Sequence, residues 1–70
     1  MKELVPILTI TGSDSTGGAG VQADIRTISA LGGYALSVVT SVTVQNTQGI
    51  HAMHDLPADI VVGQMNAIMD

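Results

Sequence analysis

Residues 4–20 read LVPILTITGSDSTGGAG, and this stretch decides the fold. Leu4–Thr11 is a nearly continuous apolar run that includes threonines. That is the pattern of a strand buried on both faces of a parallel sheet. Pro6 has no N–H to donate to a ladder, so it belongs near the strand's start or on a side without a partner. Gly12–Gly20 then reads as a loop with four glycines, three small hydroxyl residues and one charge, Asp14.

Working outward, Val21, Ile25, Ile28 and Leu31 recur at helical spacing, with Gln22, Asp24, Arg26 and Ser29 off that stripe. The spacing predicts a helix over 20–31, and Gly32-Gly33 supplies the glycine that ends it. Tyr34–Val44 is rich in Val and Thr and predicts a second buried strand. Strand, helix and strand make one βαβ unit. The polar cluster Gln45-Asn46-Thr47-Gln48-Gly49 is expected just past the second strand's carboxyl end. Ile50–Met53 suggests a third short strand. A last helix is expected to start with Asp55 or Leu56 ahead of Pro57 at its first position, and Asp59 in the first turn. Ile60, Val61, Met65, Ile68 and Met69 give it an apolar face.

Composition bounds the function. The 70 residues hold two basic and six acidic side chains, for a net charge of −4, and no cysteine. A disulfide scaffold and a cysteine-based zinc or haem site are therefore excluded. Lys2 and Arg26 alone provide no electrostatic footprint for nucleic acid or anionic lipid. No apolar run reaches the roughly 18 residues of a spanning helix, and the N-terminus does not read as a secretory signal. A cytoplasmic protein is expected. An apolar content of 46% with only 11% charged residues is high for a free-standing chain of this size. Small domains bury little surface and ordinarily need staples. The last helix also meets Asp70 without a terminating glycine, basic turn or proline. Both features lead us to expect a piece of a larger domain, the alternative being a frayed natural end.

The glycine-rich loop is the strongest chemical signal. Between a strand's carboxyl end and a helix N-terminus, free backbone N–H groups and the helix dipole favour anions and polar ligands. The bland alternative is that the glycines only make a turn. A P-loop is rejected, because Gly18 and Ala19 stand where its lysine and hydroxyl residue belong. A dinucleotide fingerprint is disfavoured, because no acid lies between Arg26 and His54 and the loop is too long. Asp24 is either a carboxylate favoured by the helix dipole or an acceptor facing the loop. The Gln45 amide offers a donor and an acceptor, the pair that reads a heterocycle's edge, unless it belongs to an ordinary polar loop. His51 and His54 lack a third ligand, so a metal site is not expected. Met53, Met65 and Met69 are read as packing residues.

The blocks TGSDSTGGAGVQAD (residues 11–24) and VTVQNTQG (residues 42–49) together resemble the N-terminus of the hydroxymethylpyrimidine/phosphomethylpyrimidine kinases. These are thiamine-biosynthesis enzymes of the ribokinase-like superfamily. The resemblance implies an α/β fold: the N-terminal βαβ portion of a three-layer α/β/α domain with a mainly parallel sheet. Residues 1–70 would be an incomplete part of that one domain. It implies that Gly12 and Ala19 line a pyrimidine pocket and that Asp24 contacts the substrate near its hydroxymethyl group. Gln45 would bond the aminopyrimidine edge, aided by the backbone of Thr43. The parent reaction would be ATP-dependent phosphorylation of hydroxymethylpyrimidine and then of its monophosphate, by a homodimer. The resemblance puts the sites for ATP and Mg2+, the anion hole and the catalytic residue in a C-terminal half without counterpart here. The 70 residues alone would then be inactive. Pyridoxal-type vitamin kinases share the layout and are the rival family. A non-catalytic binding or assembly fragment is the rival from another class.

Overall fold

The first strand, β1 (Val5–Asp14), runs three residues further than its apolar pattern. Gly12, Ser13 and Asp14 continue it past a break in the register between Thr11 and Ser13. The bulge turns the strand's end, so polar residues stay in the sheet while their side chains leave the apolar layer. The structure, a computed structural model, describes residues 4–70. Met1, Lys2 and Glu3, on which the reading of the N-terminus partly rests, lie outside the described residues.

Helix α1 (Gly20–Ala30) follows the loop and ends one residue earlier than the apolar spacing suggests. Leu31 is the C-cap and is 83% exposed, so it is not part of the buried stripe. The chain leaves the helix there through Gly32, at φ 85°. Val21 is the residue of α1 that is buried. Val38 is the fully buried side chain of strand β2 (Gly33–Asn46).

β1 and β2 pair in parallel from Val5↔Gly33 to Asp14↔Thr43. The expected βαβ unit is present. Strand β3 (Gly49–Asp55) pairs with β2 antiparallel, giving a mixed sheet in the order β1-β2-β3. The cluster read as a loop after the second strand is largely strand. β2 continues through Asn46, and only Thr47-Gln48 turn the chain. A two-residue connection needs little polar chain, because the antiparallel partner follows at once. His51 accordingly lies in a strand, where its Nε2 is 3.1 Å from Asn46 Oδ1. Among the described residues no group of acidic or His side chains is arranged to hold a metal.

Helix α2 (Ala58–Met69) begins one residue later than expected, with Pro57 as N-cap instead of first helical residue. At ψ 145° Pro57 is extended, while its carbonyl accepts the first helical bonds from Ile60 and Val61. The Gln64 amide ties α2 to the sheet. Its Nε2 donates to the Val39 carbonyl at 2.8 Å, and the Val39 N–H donates to its Oε1 at 2.9 Å. The last β3 pairing is at Ser41, so at Val39 the amide stands in for a strand. No residue of α2 is buried.

The molecule is a thin slab, 43 × 29 × 10 Å. Its accessible surface of 4998 Å² exceeds the roughly 4,100 Å² usual for a compact monomer of this mass. Ile10, Val44, Ile50, Met53 and Val62 are all more than half or nearly half exposed. No described helix is long and apolar enough to cross a membrane.

Candidate functional site

The site forms where β1 ends. Two close approaches explain its glycines. A Cβ on Gly12 would stand 2.6 Å from the Ser41 hydroxyl of β2. A Cβ on Gly20, at φ +66°, would strike the Gly12 carbonyl. Thus the loop folds back so tightly that the start of α1 touches the end of β1, with an isolated bridge between Ser13 and Gly20. Only glycine meets both the backbone angle and the space at position 20.

Polar side chains then lock the loop. Gln22, from the first turn of α1, reaches back with both ends of its amide. The Asp14 N–H donates to its Oε1 at 2.9 Å, and its Nε2 donates to Ser13 Oγ at 2.7 Å. The Thr43 hydroxyl donates to the Ser13 carbonyl at 2.9 Å, joining β2 to the bulge. The Arg26 guanidinium donates to the Gly17 carbonyl from the far side of the loop. Among the described residues no buried side-chain polar atom lacks a partner.

Asp14 is the centre of this arrangement and is only 4% exposed. Its Oδ1 accepts the Thr16 N–H at 2.9 Å and the Thr16 hydroxyl at 2.8 Å. The Gln45 amide, the Thr16 hydroxyl and the N–H groups of Thr16 and Ala19 hold its carboxyl below the ordinary carboxylate value; burial opposes them. Gln45 and Ala19 make no contact as close as those of Thr16.

Thr11, Gly12, Ser13, Asp14, Ala19, Gly20, Thr43 and Gln45 line an open cleft of about 130 Å³. Ligand sites commonly run from about 300 to 1,000 Å³, so this is one wall of a site and not an enclosed one. Ala19 is the N-cap of α1 and has no side chain to satisfy the first helical N–H groups. Ala19 and Gly20 themselves line the cleft.

Four of the five residues singled out by sequence, Gly12, Ala19, Thr43 and Gln45, therefore meet in one cleft. Asp24 does not line it, contrary to expectation. It is the fifth residue of α1, beyond the first turn, and the helical rise carries it about 6 Å from the start. There it faces Thr9, well back along β1, and accepts the Thr9 hydroxyl at 2.5 Å. It lines a second cleft with Leu8, Thr9, Ile10, Thr27 and Ile28. Asp14 was missed as a site residue by sequence reasoning. The available signal was a lone charge in nine small residues.

A family model described as phosphomethylpyrimidine kinase matches residues 14–70. The chain belongs to this family. It is 57% identical over 61 residues to a hydroxymethylpyrimidine/phosphomethylpyrimidine kinase of Rhizobium meliloti, spanning 87% of this chain and 23% of that protein. The crystal structure of a phosphomethylpyrimidine kinase from Clostridium difficile superposes with a TM-score of 0.88 at 53% identity, over 91% of this chain and 28% of that one. A pyridoxal kinase from Staphylococcus aureus, solved with pyridoxal, superposes with a TM-score of 0.84 at 33% identity, over 94% of this chain and 25% of that one. The chain thus spans about a quarter of the length of each of these three proteins, and it is more similar in sequence to the two pyrimidine kinases than to the pyridoxal kinase.

Proposed function

We propose that this chain supplies the N-terminal part of an ATP-dependent kinase. Its substrates would be 4-amino-5-hydroxymethyl-2-methylpyrimidine and the corresponding monophosphate, in thiamine biosynthesis. The observation that carries the proposal is the cleft that gathers Gly12, Ala19, Thr43 and Gln45 in a chain of this family. Gly12 and Ala19 give a small-residue wall against which a flat ring can lie. Gln45 supplies a donor and an acceptor for the ring's amino edge, and Thr43 presents its backbone next to it. Asp24, held by Thr9, is assigned to the polar substituents from the adjoining cleft.

The described residues do not fit a nucleotide or a magnesium ion. Arg26 is engaged by the Gly17 carbonyl, and among the described residues no acidic cluster is arranged for a metal. Phosphoryl transfer depends on positioning and on neutralising charge about the phosphate. No catalytic step is assigned to these 70 residues. A cytoplasmic homodimer goes with the same proposal.

The test uses a complete kinase carrying this chain as its N-terminal segment. Gln45→Ala is expected to weaken binding of the hydroxymethylpyrimidine at least about tenfold by calorimetry, through loss of a bidentate contact. Unchanged affinity would remove Gln45 from the site. Pyridoxal added in competition is expected to be the poorer substrate, and the reverse order would move the protein to the vitamin-kinase reading.

A further inference from the structure

One peptide unit carries two of the hydrogen bonds that lock the loop. The Ser13 carbonyl accepts the Thr43 hydroxyl at 2.9 Å, and the N–H of Asp14, on the same peptide bond, donates to Gln22 Oε1 at 2.9 Å. The bond is trans, so these two groups point in opposite directions within one rigid plane. One end is therefore tied to β2 and the other to the first turn of α1. The Gln22 amide cannot flip, because a backbone N–H donates only to its oxygen end. Its Nε2 then donates to Ser13 Oγ at 2.7 Å and fixes the same residue a second time.

The cleft draws its lining from the elements that this peptide joins. Ala19 and Gly20 belong to the start of α1, and Thr43 and Gln45 to β2. The ladder between β1 and β2 is irregular here, with its register broken between Thr11 and Ser13. Backbone pairing on its own thus holds the two strand ends less firmly than a regular ladder does. We propose that the Thr43 hydroxyl and the Gln22 amide form a brace through the 13–14 peptide. The brace sets the width of the cleft, and so the spacing between the wall of Gly12 and Ala19 and the Gln45 amide. Both are positioning residues. The Thr43 hydroxyl is spent on Ser13, so that side chain serves the site by holding it. A heterocycle that lies on one wall and bonds the other fits at one width, since its hydrogen bonds must stay within about 2.7–3.2 Å. The inference rests on the pyrimidine-kinase function proposed above and adds two side chains to it.

The experiment uses the complete kinase and measures KM for the hydroxymethylpyrimidine and for ATP separately. Thr43→Val keeps the shape of the side chain and removes its donor. The pyrimidine KM is expected to rise at least about fivefold, the size of one lost hydrogen bond, with the KM for ATP unchanged. Thr43→Ser keeps the donor and is expected to recover most of that loss. A merely structural role would lower the yield of folded enzyme, and with it the apparent kcat, while leaving both KM values alone. That result would overturn the brace, and so would equal pyrimidine KM values for the Ser and Val variants. Gln22→Met tests the other end. Because both bonds act through one peptide, the double variant is expected to raise KM no more than about twofold beyond the larger single variant. Single effects that multiply would mean two independent contacts and no brace. A second measurement needs no variant. A ligand that fits the braced width stabilises the brace in return, so saturating pyrimidine is expected to slow amide exchange at Asp14 at least about fivefold. Exchange at Val39, whose N–H is bonded to Gln64, should stay the same. Unchanged exchange at Asp14 would overturn the proposal. A wild-type kinase inactive on the aminopyrimidine would overturn the functional reading instead. Exchange at Asp14 in Thr43→Val would then still decide the brace: it is expected to quicken although that N–H bonds Gln22, and an unaltered rate would overturn it.

Discussion

The glycine-rich loop that closes the cleft and the β2–β3 hairpin differ sharply in how their polar and apolar groups are satisfied. At the cleft, Asp14, Gln22, Thr43 and Thr16 form an interlocked set in which every named bond lies between 2.7 and 2.9 Å. At the β2–β3 hairpin, all seven residues of β3 are exposed, and Ile50 and Met53 show 59% and 58% of their surface. The loop is finished by this chain's own residues, whereas β3 is exposed along its whole length. Polar groups close over short distances, because a loop and the first turn of a helix suffice. Apolar faces need a second layer, and α1 and α2 cover only part of a three-stranded sheet.

The sharpest way to break the finished end is Gly20→Ala in the complete kinase. The new Cβ would meet the Gly12 carbonyl and would sit at positive φ. Left-handed strain and overpacking together predict a loss of about 3 kcal/mol in urea unfolding. A loss under about 1 kcal/mol would mean that the loop relaxes freely and that its closure is not structural. Gln22→Ala should cost less, about 1–2 kcal/mol, since it leaves the Asp14 N–H and the Ser13 hydroxyl without their partner. The same variant should also weaken pyrimidine binding, because Ser13 and Asp14 both line the cleft. Full stability and affinity in that variant would show that water replaces the clasp.

Legibility followed the range of the forces involved. The βαβ order and the glycine at the end of α1 rest on local spacing, and local spacing was readable; the choice of Gly12 and Ala19 as pocket residues came from the family resemblance. The bulge that keeps Ser13 and Asp14 in β1 was not, because it depends on where the register with β2 breaks. Asp24 is the instructive case. Its position on the helix was predicted, but its direction depends on how far α1 rises before it meets Thr9, which is a tertiary distance. Gln64 is a second one. Nothing in its helical neighbourhood shows that its amide will bond the Val39 backbone, since that need arises only where β3 stops. Leu31 fitted the apolar period and still lies outside the buried stripe, because the helix had already ended.

The smallest expected effect tests the other side of the comparison. Ile50 pairs with Gln45 in the hairpin register, yet its side chain is exposed. Ile50→Thr keeps a β-branched residue and so keeps the strand preference and the backbone ladder. With most of the side chain open to solvent, the change should alter stability by no more than about 0.5 kcal/mol. Pyrimidine affinity should be unchanged, because Ile50 does not line the cleft. A loss above about 1 kcal/mol in the complete kinase would mean that residues beyond Asp70 cover the hairpin. The open face would then belong to an interior assembled from two parts of one chain, and the contrast with the cleft would be one of which segment supplies the covering layer.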